Sequence, residues 1–293
     1  MPAAEVPRLH LPAGHAADGG DPVLVTPAVA GWAFSGLRVM RLGAGASRAI
    51  DTGPNEMVVL PLSGSAVVRV DGQRLRLEGR TSVFDRVSDF AYLPRDTRFE
   101  IESDSGGEFA LPMAQARRRL EPAYGPAERV PVEIRGAGDA TRQVTNFCTP
   151  GSFATDRLSA CELITPAGNW SSFPPHKHDE ARAGEAILEE IYYFRIQGPA
   201  GFAVHRTYAA DGAFDVTVTI QDGDVFLVPR GYHGPSVASP NHDLYYLNVL
   251  AGPGAERTMA FCDDPQHHWI RETWGALAPD PRVPVTSAKG RVR

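Results

Sequence analysis

The stretch Pro174-Pro175-His176-Lys177-His178-Asp179, read with Glu189-Glu190-Ile191-Tyr192-Tyr193-Phe194 and with GDVFLVPRGYH over 223–233, decides the fold. His176 and His178 are two residues apart, so on a strand both imidazoles point to one face. Glu190 opens a β-branched and aromatic run that reads as a strand. Residues 223–233 read as a turn, an apolar strand, a Pro-x-Gly turn and then His233. Three imidazoles and one carboxylate, presented by strands of one small barrel, would make a divalent-metal site with open positions.

The order His-x-His, then Glu at a strand start, then Gly-x5-Pro-x-Gly-x-His resembles the two cupin motifs. More narrowly, PPHKHD, EEIYYFR, GDVFLVPRGYH and DLYYLNVLAGP resemble the 5-deoxy-glucuronate isomerase family of bacterial myo-inositol catabolism. The resemblance runs from about Trp32 to Trp274. It implies an all-β fold of two tandem cupin barrels (double-stranded β-helix, jelly-roll) with metal ligands at His176, His178, Glu190 and His233. The segment from Asp179 to Glu189 also offers Glu180, Glu185 and Glu189 as carboxylates. Glu190 is preferred because it directly precedes the IYYF run.

Outward from this core, the 293 residues suffice for one large or two ordinary domains. With 29 Gly and 25 Pro, turns are frequent, which favours short strands over long helices. A net charge of -6 argues against nucleic acid or an anionic membrane as partner. Cys148, Cys161 and Cys262 lack CxxC spacing and fit a reduced, cytoplasmic protein. The opening residues lack a basic region followed by an apolar run, so no export leader is expected.

The first half repeats the plan of the second. Glu56-MVVLPLS-Gly64 matches Glu190-IYYFRIQ-Gly198 at an offset of 134, and Asp89 to Arg95 matches Asp224 to Arg230 at 135. The expected organisation is an arm at 1–31, a degenerate barrel without metal ligands at 32–143, a metal-binding barrel with a short C-terminal helix at 144–278, and a loose tail at 279–293. Carried back, the histidine positions fall on Gly53, Asn55 and near Arg98, with a carboxylate kept at Glu56. The arm is expected to pack on the first barrel or fray. Ser63-Gly64 and Asp71-Gly72 both read as hairpin signals.

The activity implied by the resemblance is aldose–ketose isomerisation between 5-deoxy-D-glucuronate and 5-dehydro-2-deoxy-D-gluconate, metal-assisted through an enediolate. The cofactor would be one divalent ion, Zn, Mn, Fe, Co or Ni, among which sequence does not choose. Tyr192, two after Glu190, and Tyr246 in the closing strand are the candidate catalytic residues. Barrel filling is the competing reading for both. Lys177, between the ligand histidines, and Arg206 are the candidates for the substrate carboxylate. His205 and His242 read as structural. The segment 179–189, absent from the first copy, reads as a lid at the pocket mouth. The expected partner is a small sugar acid, with a homodimer as one candidate assembly. The rival functions are a metal-dependent cupin dioxygenase and a non-enzymatic sugar-binding cupin.

Overall fold

The computed structural model describes residues 8–292; the first seven residues of the expected arm and Arg293 of the expected tail lie outside it. In the first half the strands are β1 (His10–Leu11), β2 (Val23–Val25), β3 (Ser35–Leu42), β4 (Ala46–Asp51), β5 (Asn55–Val70), β6 (Gln73–Arg80), β7 (Phe90–Leu93), β8 (Arg98–Ser103), β9 (Gly107–Gln115) and β10 (Ala123–Gly125). The second half holds β11 (Val132–Arg135), β12 (Arg142–Cys148), β13 (Ser159–Thr165), β14 (Trp170–Ser171), β15 (His176–Lys177), β16 (Glu189–Ile196), β17 (Ala203–Tyr208), β18 (Asp215–Ile220), β19 (Val225–Val228), β20 (Tyr232–Ala238), β21 (Leu244–Ala251) and β22 (Cys262–Asp263). A short helix, Trp269–Thr273, follows.

Two equivalent sheets lie at the heart of the molecule. One runs β10-β7-β5-β9-β3-β2; the other runs β1-β19-β16-β21-β13-β12-β11. Both are buried on both faces, which explains why their strands read as continuous apolar runs. In β16 the alternation sends Ile191 and Tyr193 into the core shared with Val58, Leu60 and Tyr92 of the first barrel. Tyr192, Phe194 and Ile196 face the interior of the second barrel. The first barrel has its own interior around Met57, Val59, Phe99 and Ile101. The sheet β18-β17-β20-β15-β22 closes the second barrel opposite β16 and carries two of the histidines.

Strand pairing corrects the repeat by one residue. Ile191 faces Leu227 and Val58 faces Tyr92, and all four lie in the shared core. Val58 therefore corresponds to Ile191, Glu56 to Glu189, and Met57 to Glu190. A one-residue slip exchanges the two faces of a strand, so the offset of 134 placed Glu56 on the wrong face. Similarly, His176 pairs with His233, and the inward pair at the same place in the first barrel is Ile50 with Phe99. The ligand positions thus map onto Ile50, Met57 and Phe99, not onto Gly53, Glu56 and Arg98.

Three other expectations change. The arm does not rest on the first barrel alone, because β1 pairs with β19 of the second. His10 Nε2 lies 2.8 Å from the Asp224 carboxylate, which fixes the arm there. The tail is docked: Val283 and Val285 are buried, and the buried Gln143 Oε1 accepts from the backbone N–H groups of Val285 and Thr286. Ser63-Gly64 is no hairpin turn but a bulged bend inside the long β5, where a Cβ on Gly64 would stand 2.2 Å from the Gly106 carbonyl. Asp71-Gly72 is the true turn between β5 and β6, with positive φ at both residues.

Candidate metal centre

The second barrel gathers the histidines by register. His176 on β15 lies directly opposite His233 on β20. His178 follows two residues later, and Glu190 enters from the second residue of β16. Among the described residues, His178, Glu190 and His233 form the one His/Cys/Asp/Glu group whose ligand atoms lie within 4.8 Å of one another. Both His178 Nε2 and His233 Nε2 lie 3.0 Å from Glu190 Oε2. His176 stands beside them, its ring centroid 4.4 Å from that of His233.

The backbone sets the tautomers. Nδ1 of His176, His178 and His233 faces the carbonyls of Pro174, Leu188 and Gly231 at 3.3, 3.0 and 3.3 Å. A carbonyl only accepts, so each Nδ1 is assigned the proton and each Nε2 presents a lone pair. Although His233 Nε2 is close to Glu190, its geometry forms no hydrogen bond, and this fully buried atom is without a partner. Lone pairs converging on a buried carboxylate need a cation between them, and this donor set fits a divalent metal. Asn248 Nδ2 donates to Glu190 Oε1 and orients it.

The cluster opens on a cavity of about 370 Å³ lined by β11, β12, β13, β15, β16, β21 and residues 258–261. A second cavity of about 410 Å³ lies beside it, between residues 181–188 and 252–258, but it holds no histidine. Tyr192 lines the metal cavity, and its hydroxyl lies 3.0 Å from Ser172 Oγ. Burial, then the Glu190 charge, push its phenol well above the ordinary range. Tyr246 packs against it with ring centroids 5.1 Å apart, tilted by 40°, and is hydrogen-bonded to Ser171 Oγ. His205 is buried and satisfied by Ser236 Oγ at 2.7 Å.

The two expected carboxylate receptors are not brought to the cluster. Lys177 points away from the metal face, and its ammonium donates to Asp179, Glu180 and Glu185 at 2.6, 2.8 and 2.8 Å. All three N–H groups are used, which leaves none for substrate. Arg206 lies on the outer face of β17, paired bidentately with Asp215. The segment 179–189 is tethered, not free. Glu185, with no exposed side-chain surface, binds Lys177, Arg182 and the backbone N–H groups of Asp179 and Glu180.

The sequence matches the KduI/IolB family over residues 10–270. The chain belongs to that family. Among relatives of the KduI/IolB chain, the 5-deoxy-glucuronate isomerase of Geobacillus kaustophilus is 39% identical over 269 residues, 91% of this chain and 96% of that protein. The 5-deoxy-glucuronate isomerase of Bacillus subtilis is 34% identical, spanning 80% of this chain and 87% of its own. The crystal structure of an IolB-like protein from Salmonella typhimurium superposes with a TM-score of 0.84 at 33% identity, covering 90% of this chain and 99% of that one. Oxalate decarboxylase from Bacillus subtilis superposes at a TM-score of 0.63 with 15% identity, over 89% and 80% of the two chains, which bears on the tandem cupin fold alone.

Sequence reading of this KduI/IolB chain missed Asn248, Asn146 and Arg135, all of which line the cavity. For Asn248 a signal existed: it is the one amide in the apolar strand LYYLNVLA, and a buried amide in a core strand asks for a partner. Arg135 comes from the edge strand β11 and Asn146 from its neighbour β12, and neither strand carries a motif.

Proposed function

We propose that this chain is an aldose–ketose isomerase acting on 5-deoxy-D-glucuronate to form 5-dehydro-2-deoxy-D-gluconate, with one divalent metal held by His176, His178, Glu190 and His233. The observation that carries the reading is the buried convergence of imidazole lone pairs on Glu190, in a family whose relatives bear the isomerase name. A bound divalent ion would polarise the sugar carbonyl and lower the cost of removing the adjacent proton. The chain supplies the rest. Asn248 and the backbone carbonyls of Pro174, Leu188 and Gly231 fix the ligand orientations before substrate arrives. Tyr192 keeps its proton across the neutral range, so it serves as hydrogen-bond or proton donor to a substrate oxygen and not as the base. Tyr246, held by Ser171, is a positioning residue for the Tyr192 ring.

The test is an anaerobic assay of the purified protein with metal analysis. The expected outcome is conversion of aldose to ketose without dioxygen and with metal-dependent rate. Dioxygen uptake would identify a dioxygenase. Tight sugar binding without turnover would identify a binding protein.

A further inference from the structure

A metal held at Glu190 orients one end of a sugar acid and leaves its carboxylate to be met elsewhere. Among the described residues, Arg135 is the one lysine or arginine lining the metal cavity. It lies on β11, at the far edge of the sheet that carries Glu190. Cys161 on β13, which lies between β16 and β11 in that sheet, lines the same cavity. The cavity therefore runs from a metal-binding end to a guanidinium end.

The charge at that end is not balanced. Arg135 sits directly opposite Arg142 in the β11–β12 pair, an arrangement that repels. Arg142 is buried, donates only to the carbonyls of Ala140 and Phe173, and has an unpartnered Nε. Burial pulls its guanidinium down to about 10. Glu133 is the one carboxylate bonded there, taking Nε and Nη2 of Arg135 at 2.9 and 2.8 Å. A guanidinium has five N–H donors in a planar fork, so donors remain for a second carboxylate. Asn146, which also lines the cavity, donates to Glu133 and holds the pair in place.

We propose that Arg135, with the field of Arg142 behind it, receives the substrate carboxylate and makes the enzyme selective for sugar acids over neutral sugars. The proposal rests on the isomerase reading and names the group that reads the acid. It assigns to Arg135 the part that Lys177 and Arg206 do not take: the three N–H groups of Lys177 are used by Asp179, Glu180 and Glu185, and neither residue lines the cavity.

The experiment compares wild type, Arg135→Gln, Arg135→Lys and Glu133→Gln as metal-loaded proteins. Each is assayed on 5-deoxy-D-glucuronate and on 5-deoxy-D-glucose, in which the carboxylate is a primary alcohol. Losing a charged hydrogen-bond partner should raise the KM of Arg135→Gln for the acid by about 10- to 100-fold, with kcat and metal content nearly unchanged. On the neutral sugar the same variant should match wild type. Arg135→Lys should recover part of the loss, and Glu133→Gln should leave KM for the acid unchanged or lower. An unchanged KM in Arg135→Gln, an equal loss on both sugars, or a Glu133→Gln variant that copies Arg135→Gln would overturn the assignment. If wild type fails to isomerise, the isomerase reading falls, and calorimetric binding of the acid then decides. Weaker binding to Arg135→Gln than to wild type upholds the anion site, and equal binding sinks it.

Discussion

The two barrels share one frame and differ in what fills it. Glu56 accepts from the backbone N–H groups of Asp156, Arg157 and Leu158 at 2.8, 2.6 and 2.7 Å, just before β13. Glu189 does the same for Ala33, Phe34 and Ser35 at 2.8 Å each, at the start of β3. Each barrel thus grips the other through one carboxylate. One residue later the barrels part: Met57, Ile50 and Phe99 fill the first interior, where Glu190, His176 and His233 face the second. The apolar set packs without partners, whereas the polar set is held by carbonyls, Asn248 and an unmet valence at His233. Paired glutamates at one strand start therefore do two unrelated jobs, one on each face.

The comparison can be broken in several ways. The largest effect is expected from Glu190→Ala, which should lose the bound ion and reduce turnover by about 10³-fold or more. Metal analysis of wild type should find about one ion per chain, matching one ligand set; two tightly held ions would mean that the first barrel is not the apolar counterpart described. Next come Glu56→Ala and Glu189→Ala. Each strips three N–H groups of a charged acceptor and should cost about 3 kcal/mol in denaturant unfolding while leaving metal content near wild type. Metal loss in Glu189→Ala alone would show the β16 register to be slipped. Tyr192→Phe should lower kcat by about 10²-fold, and Tyr246→Phe by less than about 10-fold. Equal losses would put both hydroxyls on the substrate.

The smallest effect concerns the tethered segment, which exists only in the second barrel. Burial would raise the Glu185 carboxyl, but its hydrogen bond from Lys177 leads the contacts that hold it at about 2. A carboxyl with a depressed folded pKa contributes stability above its unfolded pKa, about 4.3, and loses it as pH falls toward 2. Glu185→Ala should therefore cost about 2 kcal/mol at pH 7, and the gap to wild type should close between about pH 4 and pH 2. A gap that persists at pH 2 would assign the loss to packing and not to charge.

The candidate ligands could be named from sequence because strand parity is local: His-x-His and Glu190 with Tyr192 need only a period of two. The strut at Glu189 could not, because its partners, the backbone N–H groups of Ala33, Phe34 and Ser35, lie in a distant part of the chain. Sequence similarity of Glu56 and Glu190 pointed one residue away from the backbone answer. Lys177 is engaged by acids within eight residues of it, a fold-back of DEARAGE that residue types alone do not show. Arg135 and the docked tail depend on contacts between segments far apart in the chain, which no window of sequence contains.

The arm strand β1 has a consequence for how the molecule is made. His10 and its partner Asp224 are 214 residues apart. At ribosomal rates of 5–20 residues per second, about 10–40 s pass between synthesis of β1 and synthesis of the edge it covers. Throughout that interval the first barrel can close through β10, its own later strand, whereas β19 must find a strand that has long been waiting. The second barrel therefore has its sheet edge sealed by a strand whose partner is made some 214 residues later.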